Sequence, residues 1–209
     1  MNHTDPPKKE VALRNSLFVV AALVSLSSVV VLFLDGQIWI LISKIAPASP
    51  NRTLLFFSKR GLYVFYLVFA ALLTYALVRK ETPLKNLCIA WLKAEVVFGF
   101  ALVRVMKILL GRARPPMGSE FDFFSIHNRY NSFPSGHAAD AFVSGVFLFY
   151  LLRHSKYRFV PLLYAFLMAL SRVLVYEHHP SDVIAGAAIG IWGASFMLFR
   201  GKPESPRAR

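Results

Sequence analysis

The sequence is nearly without cysteine. Cys88 is the only one and lies in an apolar run, so no intrachain disulfide can form and a thiolate metal centre is not expected. Acidic residues are scarce as well, 11 Asp and Glu against 24 Lys and Arg, and no carboxylate-rich cluster stands near any motif described below. No metal and no other cofactor is therefore expected. Short alternating strand-like segments are missing, which excludes an outer-membrane β-barrel. Charge of either sign is low, at 17% of residues. With 56% hydrophobic residues, 19 Phe and a mean hydropathy of +0.51, an ordinary soluble domain is excluded too.

What remains is helix-length hydrophobicity. Apolar runs over residues 16–34, 61–78, 87–110, 138–152, 159–175 and 183–199 approach the ~17–25 residues that cross a bilayer as helix. The expected fold is an all-α integral membrane protein of six transmembrane helices. It forms one domain over residues 1–209, with short flexible tails at about 1–12 and 201–209. The first run is too long for a signal-peptide core and ends in Leu34, Asp35 and Gly36 rather than a small-residue cleavage site, so it reads as a retained anchor. Two apolar patches between Gln37 and Arg60, separated by Pro47 and Pro50, are too short to cross and read as amphipathic pieces at the interface.

Basic residues orient the spans. Lys8, Lys9 and Arg14, then Arg79, Lys80 and Lys85, then Arg153, Lys156 and Arg158, then Arg200, Lys202, Arg207 and Arg209 all fall on one side. The positive-inside rule makes that side, with both termini, cytoplasmic. The net charge of +13 has no soluble basic domain to hold it, so anionic lipid is the expected partner and nucleic acid is not. Oligomeric state is not legible.

On the opposite side, polar residues crowd the span ends. Lys107, Arg112 and Arg114 close the third span; Ser135, Gly136, His137 and Asp140 open the fourth; Arg172 closes the fifth; Glu177, His178, His179 and Asp182 lead into the sixth. Ionisable groups cost roughly 2.5–3.5 kcal/mol each in hydrocarbon, so their convergence at one level points to a functional site. Transfer of a phosphoryl group spreads negative charge over nonbridging oxygens, and such a site needs fixed cations, N–H donors, a nucleophile and an acid. Lys107, Arg114 and Arg172 supply cations, with Arg112 able to replace or assist Arg114. Ser135 and the backbone at Gly136, where a helix starts, can face an anion, although Ser135 reads equally as an ordinary helix cap. His178 and His179 both stand near Asp182, and Asp140 either tunes His137 or is only a helix-start charge.

The stretches "KILLGRARP" (107–115), "PSGH" (134–137) and "SRVLVYEHHPSD" (171–182) together resemble the tripartite signature of the type 2 phosphatidic acid phosphatase family, K-x6-RP, PSGH and SR-x5-H-x3-D. That family also includes vanadium haloperoxidases. The resemblance implies a pocket at the extracytoplasmic ends of the last four helices. It makes His178 the nucleophile that forms a phosphohistidine, selecting it over His179 by spacing alone. Asp182 becomes its orienting carboxylate and His137 the acid and then the base. It assigns phosphate binding to Lys107, Arg114, Ser135, Gly136 and Arg172, favouring Arg114 over Arg112.

The implied function is metal-independent hydrolysis of a phosphate or diphosphate from an anionic phosphorylated lipid in a bacterial inner membrane. Phosphatidylglycerol phosphate, undecaprenyl diphosphate, phosphatidic acid and lipid A phosphates all fit. Lipid phosphotransfer through the same intermediate and noncatalytic lipid binding or transport are the alternatives. The fourth and fifth spans have about 16 residues from motif to basic loop, roughly 24 Å against a ~30 Å core, which sets the site slightly below the outer interface. The aromatic stretch 121–133 then serves as an interfacial cover.

Overall fold

The computed structural model describes residues 8–45 and 50–200. The outermost tails, including Lys202, Arg207 and Arg209, and the Pro47 break lie outside the described residues. Eight α-helices and a π-helical segment follow one another without a strand among the described residues: α1 Lys8–Ile45, α2 Arg52–Arg60, α3 Leu62–Val78, α4 Thr82–Ala94, the π segment Glu95–Leu102, α5 Val103–Leu110, α6 Gly136–Leu151, α7 Val160–Leu174 and α8 Pro180–Arg200. These form six apolar helical units, because α2 with α3 and α4 with α5 run on as Arg52–Val78 and Thr82–Leu110.

Together with α1 and α8, those two units are long and apolar enough to cross a membrane. Helices α6 and α7 are shorter, 16 and 15 residues, or roughly 24 Å of rise. Helix α1 carries exposed Val19, Leu23, Leu26 and Phe33 on its surface, as expected of a helix whose solvent is lipid. The chain is an integral membrane protein.

Two expectations are corrected. The patch after Gln37 is not a separate piece: α1 continues through it, past Asp35 and Gly36 and with no Pro within residues 8–45, and the helix has 38 residues. The same helix includes residues 8–12. The second patch is α2, which runs into α3 and packs against α7. Its start is fixed by Asn51, whose side chain accepts the Leu54 N–H at 2.8 Å.

Helix α6 is central. Ala138, Ala139, Ala141, Val143, Val146 and Phe147 are buried among α3, the π segment, α7 and α8. Small residues on α8 allow the approach: a Cβ on Gly186 would meet the Ser135 carbonyl oxygen at 2.3 Å, and one on Gly190 the Ala139 carbonyl oxygen at 2.4 Å. On the other flank Phe69 stacks on Trp91 with ring centroids 4.1 Å apart. Gly111, at φ 30°, stops α5 with a conformation that disfavours side chains, and any Cβ there would strike the Asp122 carbonyl. The chain then crosses the end of the bundle as an irregular loop, held where Arg112 bridges Phe121 and Asn131.

Replacing Gly186 with Val should force α8 away from the start of α6. Overpacking of this kind costs about 1–3 kcal/mol, expected as a clear fall in thermal midpoint for the detergent-solubilised protein. Gly36→Ala, where a Cβ meets nothing within 4 Å, should leave the midpoint unchanged. Equal effects at the two positions would refute this packing.

Candidate active site

The residues singled out by the three motifs come together at one end of the bundle, on the C-terminal ends of α5 and α7 and the N-terminal ends of α6 and α8. Arg172, His178, Lys107 and Arg114 all lie within electrostatic range of His137 in the first turn of α6. The Ser135 N–H donates to the Asp182 carbonyl at 2.9 Å, tying the start of α6 to that of α8.

Asp182 is fully buried and receives three donors: Arg112 Nη1 at 2.6 Å, the Ser132 hydroxyl at 2.5 Å and the His179 backbone N–H at 2.9 Å. His178, one helical turn before it, is buried with Nδ1 3.7 Å from Asp182 Oδ2. That is beyond hydrogen-bond range. Burial first, then the charges of Lys107 and Arg172, push the His178 imidazole down to about 4 against the pull of Asp182. It is neutral at pH 7.

The cations are held from different directions. Lys107 Nζ donates to the Asn131 and Ser132 carbonyls at 2.6 and 3.4 Å, leaving one N–H uncommitted. Arg172 Nη1 donates to the Ser58 hydroxyl and carbonyl at 2.8 and 3.1 Å, so α2 aims a side chain carried by α7. Arg114, extended before Pro115, ion-pairs with Glu177. Ser135 does not act as a cap: its hydroxyl makes no capping bond and is buried without a partner, as are Arg172 Nε and His178 Nδ1. Beside it, a Cβ on Gly136 would meet only Val103 at 3.6 Å. Unpartnered buried polar atoms in this cluster of cations fit an anionic ligand, since leaving a donor unpaired costs about 1–3 kcal/mol.

Three candidates from the sequence find other work. Arg112 is no alternative to Arg114 as a ligand-facing cation. It is 2% exposed, bonded to Asp182, Ser181 (2.7 Å) and Asp35 (2.9 Å), and lies over the Phe121 ring. His179 Nε2 faces the Ala113 and Gly118 carbonyls at 3.3 and 3.2 Å, so Nε2 carries the proton and the ring pins the 113–118 loop. Asp140 is not a simple helix-start charge. It accepts the Tyr66 hydroxyl at 3.1 Å, while Glu95 of the π segment accepts from Trp91 and Ser144 nearby.

Asp35 was missed as a site residue. Read as the end of a span, it lies inside α1, buried, accepting Arg112, the Ser181 N–H at 3.0 Å and the Ser181 hydroxyl. An aspartate in an uninterrupted apolar run was the available signal.

The two arginines of the first motif should separate experimentally. Arg112→Ala strands two buried carboxylates and should remove about 3–5 kcal/mol of stability. Arg114→Ala, at a side chain 30% exposed, should leave the thermal midpoint nearly unchanged. Reversal of that order in thermal unfolding would overturn the assignment.

The PAP2 superfamily model matches residues 64–202. Over 108 residues the chain is 38% identical to "Lipid A 1-phosphatase" of Rhizobium johnstonii, covering 49% of this chain and 43% of that protein. It thus spans less than half the length of that relative. Among solved structures, LpxE of Aquifex aeolicus is similar at a TM-score of 0.55 and 26% identity, over 79% of this chain and 94% of that one. The PAP2 type phosphatidylglycerolphosphate phosphatase of Bacillus subtilis shares the fold at a TM-score of 0.63 and 22% identity, over 93% and 98%. Matched over most of its length, and carrying the three motifs on one end of a six-helix unit, the chain belongs to the PAP2 superfamily.

Proposed function

We propose that this protein is a lipid phosphatase that removes a phosphate group from an anionic membrane lipid through a phosphohistidine on His178. The observation that carries the reading is the buried, neutral His178 set between Asp182 and a group of cations and unpartnered donors, Lys107, Arg114, Arg172 and Ser135. The relatives' names favour phosphorylated lipids of the lipid A and phosphatidylglycerol phosphate types.

With Nδ1 toward Asp182, the Nε2 lone pair of His178 attacks phosphorus and the bond to the lipid oxygen breaks. His137, protonated while the dianionic substrate is bound beside it, gives its proton to the departing alkoxide. Lys107, Arg114, Arg172, the Ser135 hydroxyl and the Gly136 backbone bind the nonbridging oxygens, whose charge is greatest in the transition state. Water then attacks the phosphohistidine, His137 takes its proton, the P–N bond breaks and inorganic phosphate leaves. The three cations neutralise charge where other phosphatases use a divalent metal. In this reading the chemistry lies slightly below the interface on the extracytoplasmic face of a bacterial inner membrane, a depth supported by the short α6 and α7 and a sidedness supported by the basic loops at the other end.

Phosphate release from lipid A or phosphatidylglycerol phosphate in detergent micelles should persist in EDTA and be blocked by vanadate. An acid-labile phosphoenzyme should form in the parent and in His179→Ala but not in His178→Ala. Activity abolished by chelator and restored by magnesium, or phosphoenzyme retained in His178→Ala, would sink the mechanism.

Sidedness is tested separately. A cysteine introduced at Ser119, in a Cys88→Ala background, should react with an impermeant thiol reagent in spheroplasts, whereas one at Lys156 should react only after lysis. The opposite pattern reverses the topology.

A further inference from the structure

One carboxylate already occupies the place assigned to substrate phosphate. Glu177 Oε2 ion-pairs with Arg114 Nη1 and lies 3.7 Å from Arg172 Nη2, so a single oxygen stands between two guanidinium groups carried by different elements. This is the arrangement a nonbridging phosphate oxygen takes between two arginines. The N–H groups facing Glu177 are unavailable to any other anion while it remains.

The surroundings fix the backbone but leave the side chain free to move. The Glu177 N–H donates to the Arg172 carbonyl at 3.1 Å, closing the end of α7. The preceding Tyr176, at φ 61°, packs its ring edge-on against Trp39. The Glu177 side chain itself is 31% exposed, as Arg114 is at 30%, whereas Arg172 behind them is at 6%. A change of Glu177 rotamer toward solvent therefore opens the seat without backbone motion.

We propose that Glu177 is an internal anion that holds the phosphate seat until a dianionic phosphate displaces it, keeping the more weakly bound phosphodiester headgroups of the surrounding bilayer from filling it. The proposal rests on the reading of Arg114 and Arg172 as phosphate ligands. A monoester carries a charge of about −1.5 to −2 and three free oxygens. A phosphodiester carries one negative charge and two free oxygens, no better than the resident carboxylate at charge balance. Since bulk phospholipids greatly outnumber any phosphorylated substrate in the membrane plane, an unguarded pair of arginines would be held by them. Occupancy by Glu177 in a tenfold excess over the open form weakens every competing anion about tenfold. The factor is the same for every anion, so a dianionic phosphate, the stronger ligand, still fills the seat at concentrations where a phosphodiester no longer does.

The test uses the full chain in detergent, hydrolysis of nitrophenyl phosphate as readout, and inorganic phosphate and micellar phosphatidylglycerol as inhibitors. In Glu177→Gln the inhibition constant for phosphate should fall about tenfold. Phosphatidylglycerol, nearly inert against the parent, should become a competitive inhibitor. Glu177→Asp, which keeps the charge, should stay closer to the parent than Glu177→Gln on both measures. A thermal midpoint equal to the parent's in both variants separates this from a structural effect. Inhibition constants within twofold of the parent, or weaker phosphate binding in Glu177→Gln, overturn the proposal while leaving the phosphatase reading intact. A parent chain that neither hydrolyses phosphate esters nor responds to phosphate overturns both.

Discussion

A buried guanidinium joins the ends of the bundle. Arg112 reaches Asp35 in α1 and Asp182 in α8 from the loop after α5, and its backbone carbonyl accepts the Ser132 N–H at 3.0 Å. Two carboxylates taken out of water would each be costly alone, and their repulsion would part α1 from α8. One planar cation satisfies both, while Ser181 and Ser132 fill remaining lone pairs. Everything that fixes Asp182 thereby fixes its relation to His178. The position of the proposed nucleophile is thus tied to contacts that join α1 to α8, up to 146 positions apart.

How legible each part was in the sequence follows from the range of the interaction behind it. The motif residues were legible because their chemistry needs particular side chains at helix ends, and those offsets are local. The apolar units were legible because lipid imposes a length on each. Arg112, Asp35 and Ser58 were not placed, since their partners lie 77 and 114 positions away and no local pattern marks such pairs. The continuation of α1 to residue 45 was missed because Asp35 and Gly36 resemble a span end. In the fold that aspartate finds a buried partner, so the helix need not stop. Likewise Glu95 and Asp140 sit in apolar surroundings beside Gly99, where a Cβ would meet Asp140 Oδ1 at 2.4 Å and Glu95 Oε2 at 2.8 Å. The π segment that begins at Glu95 makes room for them.

Shortness in α6 and α7 is as consequential as any side chain. Helices of 16 and 15 residues cannot carry their polar ends to both surfaces of a ~30 Å core. The end bearing His137 and Arg172 is covered by the loop over residues 111–135, whose Phe123, Phe124 and Ile126 are exposed. Exposed aromatics there suit the headgroup region.

Charge in the site is arranged in two layers of opposite sign. Behind His178, two carboxylates, Asp35 and Asp182, face one guanidinium, Arg112. In front of it, Arg114 and Arg172 face one carboxylate, Glu177, and Lys107 lies within electrostatic range of the imidazole. The front layer attracts an anion and the back layer favours positive charge on the imidazole, which is the charge a phosphohistidine carries. In the proposed mechanism, attack on phosphorus would move electron density from the negative layer toward the positive one, with the field of both layers. The same separation explains why Arg112 and Arg114, two residues apart in one motif, are not interchangeable. An arginine at 112 compensates carboxylates buried in the fold, whereas one at 114 pairs with the partly exposed Glu177.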